Sequence, residues 1–250
     1  MAQAIHSRRG ALSRSAPLLR RIAALDWDRM QIELDQLGHA STGPLLTGAE
    51  CSSLLAAYDE EALFRSRVVM EKHGFGRGEY KYFAYPLPEP VATLRTALYE
   101  GLAPIANRWE RLLGLAETHP ATHPEFLERC GKAGQVRPTP LLLRYGAGDY
   151  NCLHQDLYGA VSFPLQATFL LSTPGRDFMG GEFVLAEQRP RMQSRAEVVP
   201  LARGEGVVFA VHRRPVQGRR GAYRVNLRHG VSRLRSGRRV TLGIIFHDAA

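Results

Sequence analysis

Apolar positions recur every three or four residues from Asp26 to about Leu115, and in short alternating or β-branched runs after Pro138. The first spacing is that of helices with one buried face, the second that of strands bounded by turns. Trp27, Met30, Leu34 and Leu37 share one helical face that ends at Gly38, a residue suited to a left-handed C-cap. Thr47, followed three positions later by Glu50, is a capping box opening the helix LLAAYDEEALF. Residues 91–115 predict a helix pair interrupted near Pro104. Between them, GFGRGEYKYFAYPLP at 74–88 mixes glycine, basic and aromatic residues, as a surface hairpin or a substrate-facing loop would.

Beyond Pro138 the runs PLLLRY, CLHQD, QATFLLS, GEFVLAE, RAEVVPL, GVVFAV, AYRVNL and RVTLGIIF are eight candidate strands separated by turn signals. Short, evenly spaced strands predict a barrel or jelly roll. The expected fold is α+β, with a helical N-terminal half packed on a C-terminal barrel. Its expected parts are a basic arm at 1–25, a mainly helical region at 26–137 and a β core at 138–250. The arm holds five arginines and no acid, and reads as disordered or as one short helix.

The 250 residues suffice for one domain with a buried core. A net charge of +9 favours a polyanionic partner, nucleic acid first and an anionic membrane surface second. Only Lys72, Lys81 and Lys132 are lysines, against 30 arginines, a skew that codon composition can also produce. Cys51, Cys130 and Cys152 form no CxxC pair, which argues against a disulfide scaffold or zinc ribbon and for a reducing, cytoplasmic compartment. No apolar run approaches the ~18–20 residues needed to span a bilayer, so no membrane partner is expected.

His154-Gln155-Asp156 closes a predicted strand, where residues i and i+2 point to one face. An imidazole and a carboxylate so placed, with a second histidine from elsewhere, make a facial triad that leaves open positions on Fe(II). Alone, the pair is equally a hydrogen-bonded surface pair. Of His212, His229 and His247, His229 has the fitting context, because a strand carrying Arg239 and Thr241 begins about ten residues later. That guanidinium and hydroxyl share a strand face and suit a buried carboxylate. Arg238 points the other way. His212 reads as a loop or polynucleotide-facing residue and His247 as structural. His119 and His123 with Glu125 are a competing cluster, but Pro120 and Pro124 spoil helical i,i+4 geometry, and a loop is expected.

HxD, a distal His and RxT on the next strand resemble the signature of 2-oxoglutarate/Fe(II) dioxygenases, whose core is a double-stranded β-helix of eight strands. RYGAGDYNCLHQD, with Tyr145 nine residues before His154, and MGGEFVL at 179–185 are similar to the prolyl-4-hydroxylase branch. The longer strings GGEFVLAEQRPRMQSRAEVVPL and RHGVSRLRSGRRVTLGIIFHDA resemble a narrower bacterial family described as oxygenases acting on damaged DNA. The resemblance implies that His154, Asp156 and His229 bind Fe(II) and that Arg239 and Thr241 hold the distal carboxylate of 2-oxoglutarate. Tyr145 is then either a further donor to that carboxylate or a core tyrosine. The implied chemistry consumes O2 and releases succinate and CO2, with ascorbate as an auxiliary reductant.

Two substrates remain open. Oxidative demethylation of an alkylated base in DNA would use the basic balance for phosphates, and Arg77, Tyr80, Lys81, Tyr82 and Tyr85 to steer and stack a base. Hydroxylation of a prolyl or other amino-acid residue would leave the charge incidental, or serving an acidic partner. A non-enzymatic binding module would have no need of the iron ligands, and none is missing.

Overall fold

The structure, a computed structural model, describes residues 16–116 and 118–250. The first fifteen residues of the basic arm therefore lie outside the described residues; residues 16–23 form helix α1. The N-terminal half continues with α2 (Trp27–Leu37), β1 (His39–Pro44), α3 (Gly48–Ala57), β2 (Phe64–Val69), β3 (Gly76–Arg77), β4 (Glu79–Phe83), α4 (Glu89–Leu112) and α5 (His123–Lys132). The C-terminal half is β5 (Leu141–Tyr145), β6 (Tyr150–His154), β7 (Leu165–Leu170), β8 (Phe178–Gly180), β9 (Phe183–Gln188), β10 (Arg195–Val199), β11 (Glu205–Ala210), β12 (Arg213–Gly218), β13 (Gly221–Val231), β14 (Leu234–Gly237) and β15 (Arg239–Ile244). All eight expected strands are among them.

Every paired strand is antiparallel. A seven-stranded sheet runs β1-β11-β7-β15-β5-β4-β2, and a second runs β10-β9-β13-β6-β3 with β12 also on β13. Strand parity divides the larger sheet into two faces. Leu142, Ala167, Phe169, Val208, Ala210, Val240, Leu242 and Ile244 turn outward into one core with α4 residues such as Leu94, Leu98, Leu102 and Ile105. Their alternates, among them Leu141, Tyr145, Gln166, Thr168, Arg239 and Thr241, face the interior between the sheets. Phe183 and Leu185 of the second sheet pack there against Val207 and Phe209 of the first. The result is the α+β double-stranded β-helix with helices on one face.

Several local expectations are corrected. Asp26 and Gly38 cap α2, with Gly38 at φ 80°, and the Thr47–Glu50 box is present. That helix spans Gly48–Ala57 and stops short of Phe64, because Phe64–Val69 is drawn into a strand against β4. Helix α4 runs unbroken through Pro104. Pro104 and Glu100, whose carbonyl loses its donor, are both on the exposed side of the helix, while Leu102, Ala103, Ile105 and Ala106 hold the helix to the core. Gly101 lets α2 approach, since a Cβ there would lie 2.3 Å from the Trp27 ring.

The stretch 26–137 is also less purely helical than its spacing predicts. It supplies β1, which covers the edge of β11, β4 and β2, which extend the larger sheet beyond β5, and β3, which pairs with β6. Both sheets thus draw strands from both halves, and β11, β5 and β6 are each paired with a strand of the chain's own first half. The cluster at 119–125 is not a loop throughout: Thr122 and Glu125 form a second capping box that opens α5 at His123.

Candidate metal centre

His154 is the last residue of β6 and lies directly opposite His229 of β13 in the ladder. Both imidazoles point inward by strand parity, with ring centroids 4.2 Å apart. Asp156, two residues beyond His154, places Oδ1 3.5 Å from His154 Nε2 and Oδ2 3.3 Å from His229 Nε2. Donor atoms of the three lie within 4.8 Å of one another, and among the described residues this is the one such group of three. His154 Nδ1 lies 2.8 Å from the Cys152 carbonyl, which accepts a hydrogen bond from Nδ1–H and leaves the Nε2 lone pair turned to the centre. Two imidazoles and a carboxylate, with one nitrogen fixed in this way, fit a divalent first-row metal such as Fe(II).

The charges are strongly coupled. Burial opposes the charge on Asp156, yet hydrogen bonds from His154 and His229 hold its carboxyl well below the usual range. Burial would also lower His154, but its contact with Asp156 raises it overall. His229 goes the other way, lowered by burial and then by His154. One more group joins them: Tyr158 Oη donates to Asp156 Oδ1 at 2.6 Å.

A cavity of about 390 Å³ opens beside the triad and is lined also by Tyr80, Tyr82, Tyr145, Arg239 and Thr241. Arg239 faces Tyr145 across the β15–β5 ladder, and Thr241 faces Leu143. Arg239 is 2 % exposed and Tyr145 is fully buried. Among the described residues, Arg239 Nε and Nη1 and Tyr145 Oη have no hydrogen-bond partner. Burial pushes the Arg239 guanidinium down to about 10, still charged at neutral pH. A buried, charged fork facing an empty-handed hydroxyl is the arrangement that a small anionic ligand satisfies. Arg238, as its parity requires, is exposed on the other side.

The other singled-out residues fall elsewhere. His119 and His123 are buried near Glu110 and the Phe246 carbonyl, not at the triad. His212 is half-buried, and its carbonyl accepts from Leu227 N and Gln155 Nε2, so it is not a free loop residue. His247 is buried, with Nδ1 3.3 Å from Phe163 N. In the 74–88 segment, Tyr80 and Tyr82 line the cavity, but Lys81 is buried and donates to Glu61 and the Tyr58 carbonyl. Tyr85 bonds to Asp248. Lys81 is therefore not free to steer a phosphate, and Tyr85, though exposed, is not among the residues lining the cavity. Sequence reasoning missed Tyr158, whose only signal is its place two residues after Asp156, and Gln166, buried in the cavity with Oε1 unpartnered among the described residues.

A family model described as "Oxygenase, catalysing oxidative methylation of damaged DNA" matches residues 78–249, a span that holds the triad, Arg239 and the whole second half of the fold. The chain belongs to this Oxygenase-NA family. Two proteins of Mycobacterium tuberculosis strains, both called uncharacterized, are 48% identical over 168 residues, which is 67% of this chain and 72% of theirs. Among solved structures, a Pseudomonas putida prolyl-4-hydroxylase superposes with TM-score 0.54 at 13% identity, covering 90% of this chain and all of that one. A Trichoplax adhaerens prolyl hydroxylase in complex with a hypoxia inducible factor peptide gives 0.54 at 14%, covering 94% and 93%. A 2OG-Fe(II) oxygenase family protein of Burkholderia pseudomallei gives 0.51 at 16%, covering 90% and 93%. At such identities these three speak for the fold alone. As an Oxygenase-NA member with the His/Asp/His triad, the chain is an enzyme of the 2-oxoglutarate- and Fe(II)-dependent dioxygenase class. No helix among the described residues is long and apolar enough to cross a membrane.

Proposed function

We propose that this oxygenase demethylates alkylated bases in nucleic acid, with His154, Asp156 and His229 as Fe(II) ligands and Arg239, Thr241 and Tyr145 as the seat of the 2-oxoglutarate distal carboxylate. The observation that carries the cosubstrate site is the buried, unpartnered pair Arg239 and Tyr145 in the same cavity as the triad. Bound Fe(II) and 2-oxoglutarate would supply the oxidising chemistry, consuming O2 and releasing succinate and CO2. The chain's own work is orientation and exclusion of water. Arg239 would fix one end of the cosubstrate, Tyr158 and the Cys152 carbonyl hold the ligands in register, and the apolar and aromatic side chains of the cavity wall limit the water around the centre. Ascorbate has a place only as an external reductant.

Support for the nucleic-acid substrate is the family's description, the net charge of +9 and the aromatic lining of the cavity by Tyr80 and Tyr82. Oxidation of an N-methyl group gives a hemiaminal that collapses to the free base and formaldehyde. Three unpaired cysteines suit a reducing, cytoplasmic setting. We keep 1–25 as a basic arm and 138–250 as the catalytic core. The ligand assignment is tested with Asp156→Ala, expected to lose the single tight Fe(II) site in an anaerobic titration while its circular dichroism is unchanged. Retention of tight binding would overturn it.

A further inference from the structure

The positive charge is concentrated. Residues 187–239 hold 14 arginines against three acids, Glu187, Glu197 and Glu205, so this stretch at +11 exceeds the whole chain's +9. Some of these arginines are structural: Arg213 and Arg214 pair with Glu110 and Glu187. Further along the same β12–β13 hairpin, Arg219, Arg220, Arg224 and Arg228 are exposed. None of the four forms an ion pair among the described residues. Parity explains their direction. On β13, Val225, Leu227 and His229 are buried inward, so Arg224, Asn226 and Arg228 stand on the outer face. Arg224 and Arg228 are therefore about 13 Å apart along one strand, and Arg228 is the residue next to the ligand His229.

The neighbouring strands carry a different chemistry. On β6, which pairs with β13 at His154–His229, Leu153 turns outward and is 46 % exposed. Beyond β6 lies β3, and just before it Phe75 is 48 % exposed at the rim of the cavity. Its backbone is fastened to β6: the Phe75 carbonyl accepts from Cys152 N at 2.9 Å. Gly76, at φ 127°, lies so close that a Cβ would be 2.4 Å from the Tyr150 carbonyl. The Phe75 ring stacks on His73, centroids 5.3 Å apart, and Lys72 and Arg77 beside it are exposed. A large aromatic is thus held outward on a firm edge, at the entrance to the cavity, with unpaired guanidinium groups two strands away.

We infer that a single strand of nucleic acid crosses the outer face of β13 and β6 to reach the cavity. Its phosphates lie on Arg219, Arg220, Arg224 and Arg228, and a base flanking the oxidised one stacks on Phe75. The inference rests on the nucleic-acid reading above and names the surface that serves it. Phosphates and unstacked bases together call for a cationic track with an aromatic platform, whereas a proline-rich peptide without acidic residues has no use for the arginines.

The test is the binding of a short labelled, unmethylated single-stranded oligonucleotide to the full chain, followed by anisotropy from about 50 to 300 mM salt. Arg224→Gln with Arg228→Gln should flatten the plot of log K against log salt by about 1.4, roughly 0.7 for each phosphate contact removed. Phe75→Ala should weaken binding about five- to hundred-fold at every salt concentration with the slope kept, and Phe75→Trp should restore it. Thermal melting of each variant checks that the fold is intact. A wild type that binds this strand and demethylates its N-methylated counterpart, with both variants indistinguishable from it, would overturn this surface and leave the function standing. A slope that falls only on replacement of Arg8, Arg9 and Arg14 would move the contacts to the arm and overturn it as well. So would a proline-rich peptide that binds through Phe75 without regard to salt or to the arginines. Absence of demethylation by the wild type would instead sink the reading of function.

Discussion

Tyr158 donates its phenolic proton to Asp156 Oδ1 at 2.6 Å, while Oδ2 of the same carboxylate faces His229 Nε2 at 3.3 Å. The two oxygens are thereby made unlike: Oδ1 is engaged by a neutral donor as well as lying 3.5 Å from His154 Nε2, and Oδ2 is left toward His229 alone. Burial, followed by the Asp156 charge, pushes the Tyr158 hydroxyl far up, so it stays protonated and donates to the carboxylate. Such a contact fixes the orientation of a metal-ligating carboxylate. Tyr158→Phe keeps the ring and removes the donor, and should weaken Fe(II) or Co(II) affinity about 10- to 100-fold in an anaerobic titration. Equal affinity in the variant would reduce Tyr158 to packing.

Arg239 carries a buried charge whose Nε and Nη1 have no partner among the described residues. Replacing it by methionine removes a desolvated charge and fills similar volume, so the protein without cosubstrate should be no less stable than wild type. The same change should raise the 2-oxoglutarate requirement about 10- to 100-fold, the worth of a charge-assisted hydrogen bond or two. Melting curves with and without 2-oxoglutarate read both effects: wild type should gain stability from the ligand, and Arg239→Met should not. A ligand-induced rise that survives the substitution would move the carboxylate elsewhere.

How much of this could be read from the chain depends on parity. Along a strand the side-chain period is two, so His154 with Asp156, and Arg239 with Thr241, were legible as groups sharing a face before any partner was known. The eight C-terminal strands were legible because their apolar runs end at strong turn residues. What escaped was decided by partners distant in sequence. HASTGP has too few apolar residues to read as a strand, and becomes β1 because the edge of β11 needs covering. Pro104 looked like a break, and is not one because its side of α4 faces water. Lys81 looked like a cation for phosphate, yet strand parity turns it away from the cavity-lining Tyr80 and Tyr82, toward Glu61. Tyr158 lies in irregular chain after β6, where no period predicts direction.

Two buried histidines outside the metal centre set an acid limit on stability. Burial, then Arg95, pushes His123 down to about 3, and the same causes push His247 down to about 4. Both are neutral in the folded protein where the unfolded chain, with histidines near 6.5, takes up protons. Stability is therefore fully present above about pH 6.5 and falls as the pH drops from there toward 4, by up to about 1.4 kcal/mol per pH unit for each histidine. Thermal melts between these limits should decline steadily, and His247→Gln should decline less steeply. A level profile would contradict the burial of these imidazoles.

The central claim is that the triad, the Arg239 seat and the basic surface serve one reaction. Its most direct test is the release of succinate and formaldehyde from the purified protein with Fe(II), 2-oxoglutarate and O2. An N-methylated single-stranded oligonucleotide is the substrate in one arm, and a proline-rich peptide in the other. The account predicts formaldehyde with matching succinate from the methylated strand and neither from the peptide above the level without substrate. Succinate driven by the peptide, with no formaldehyde from the strand, would contradict it and make the enzyme a peptidyl hydroxylase.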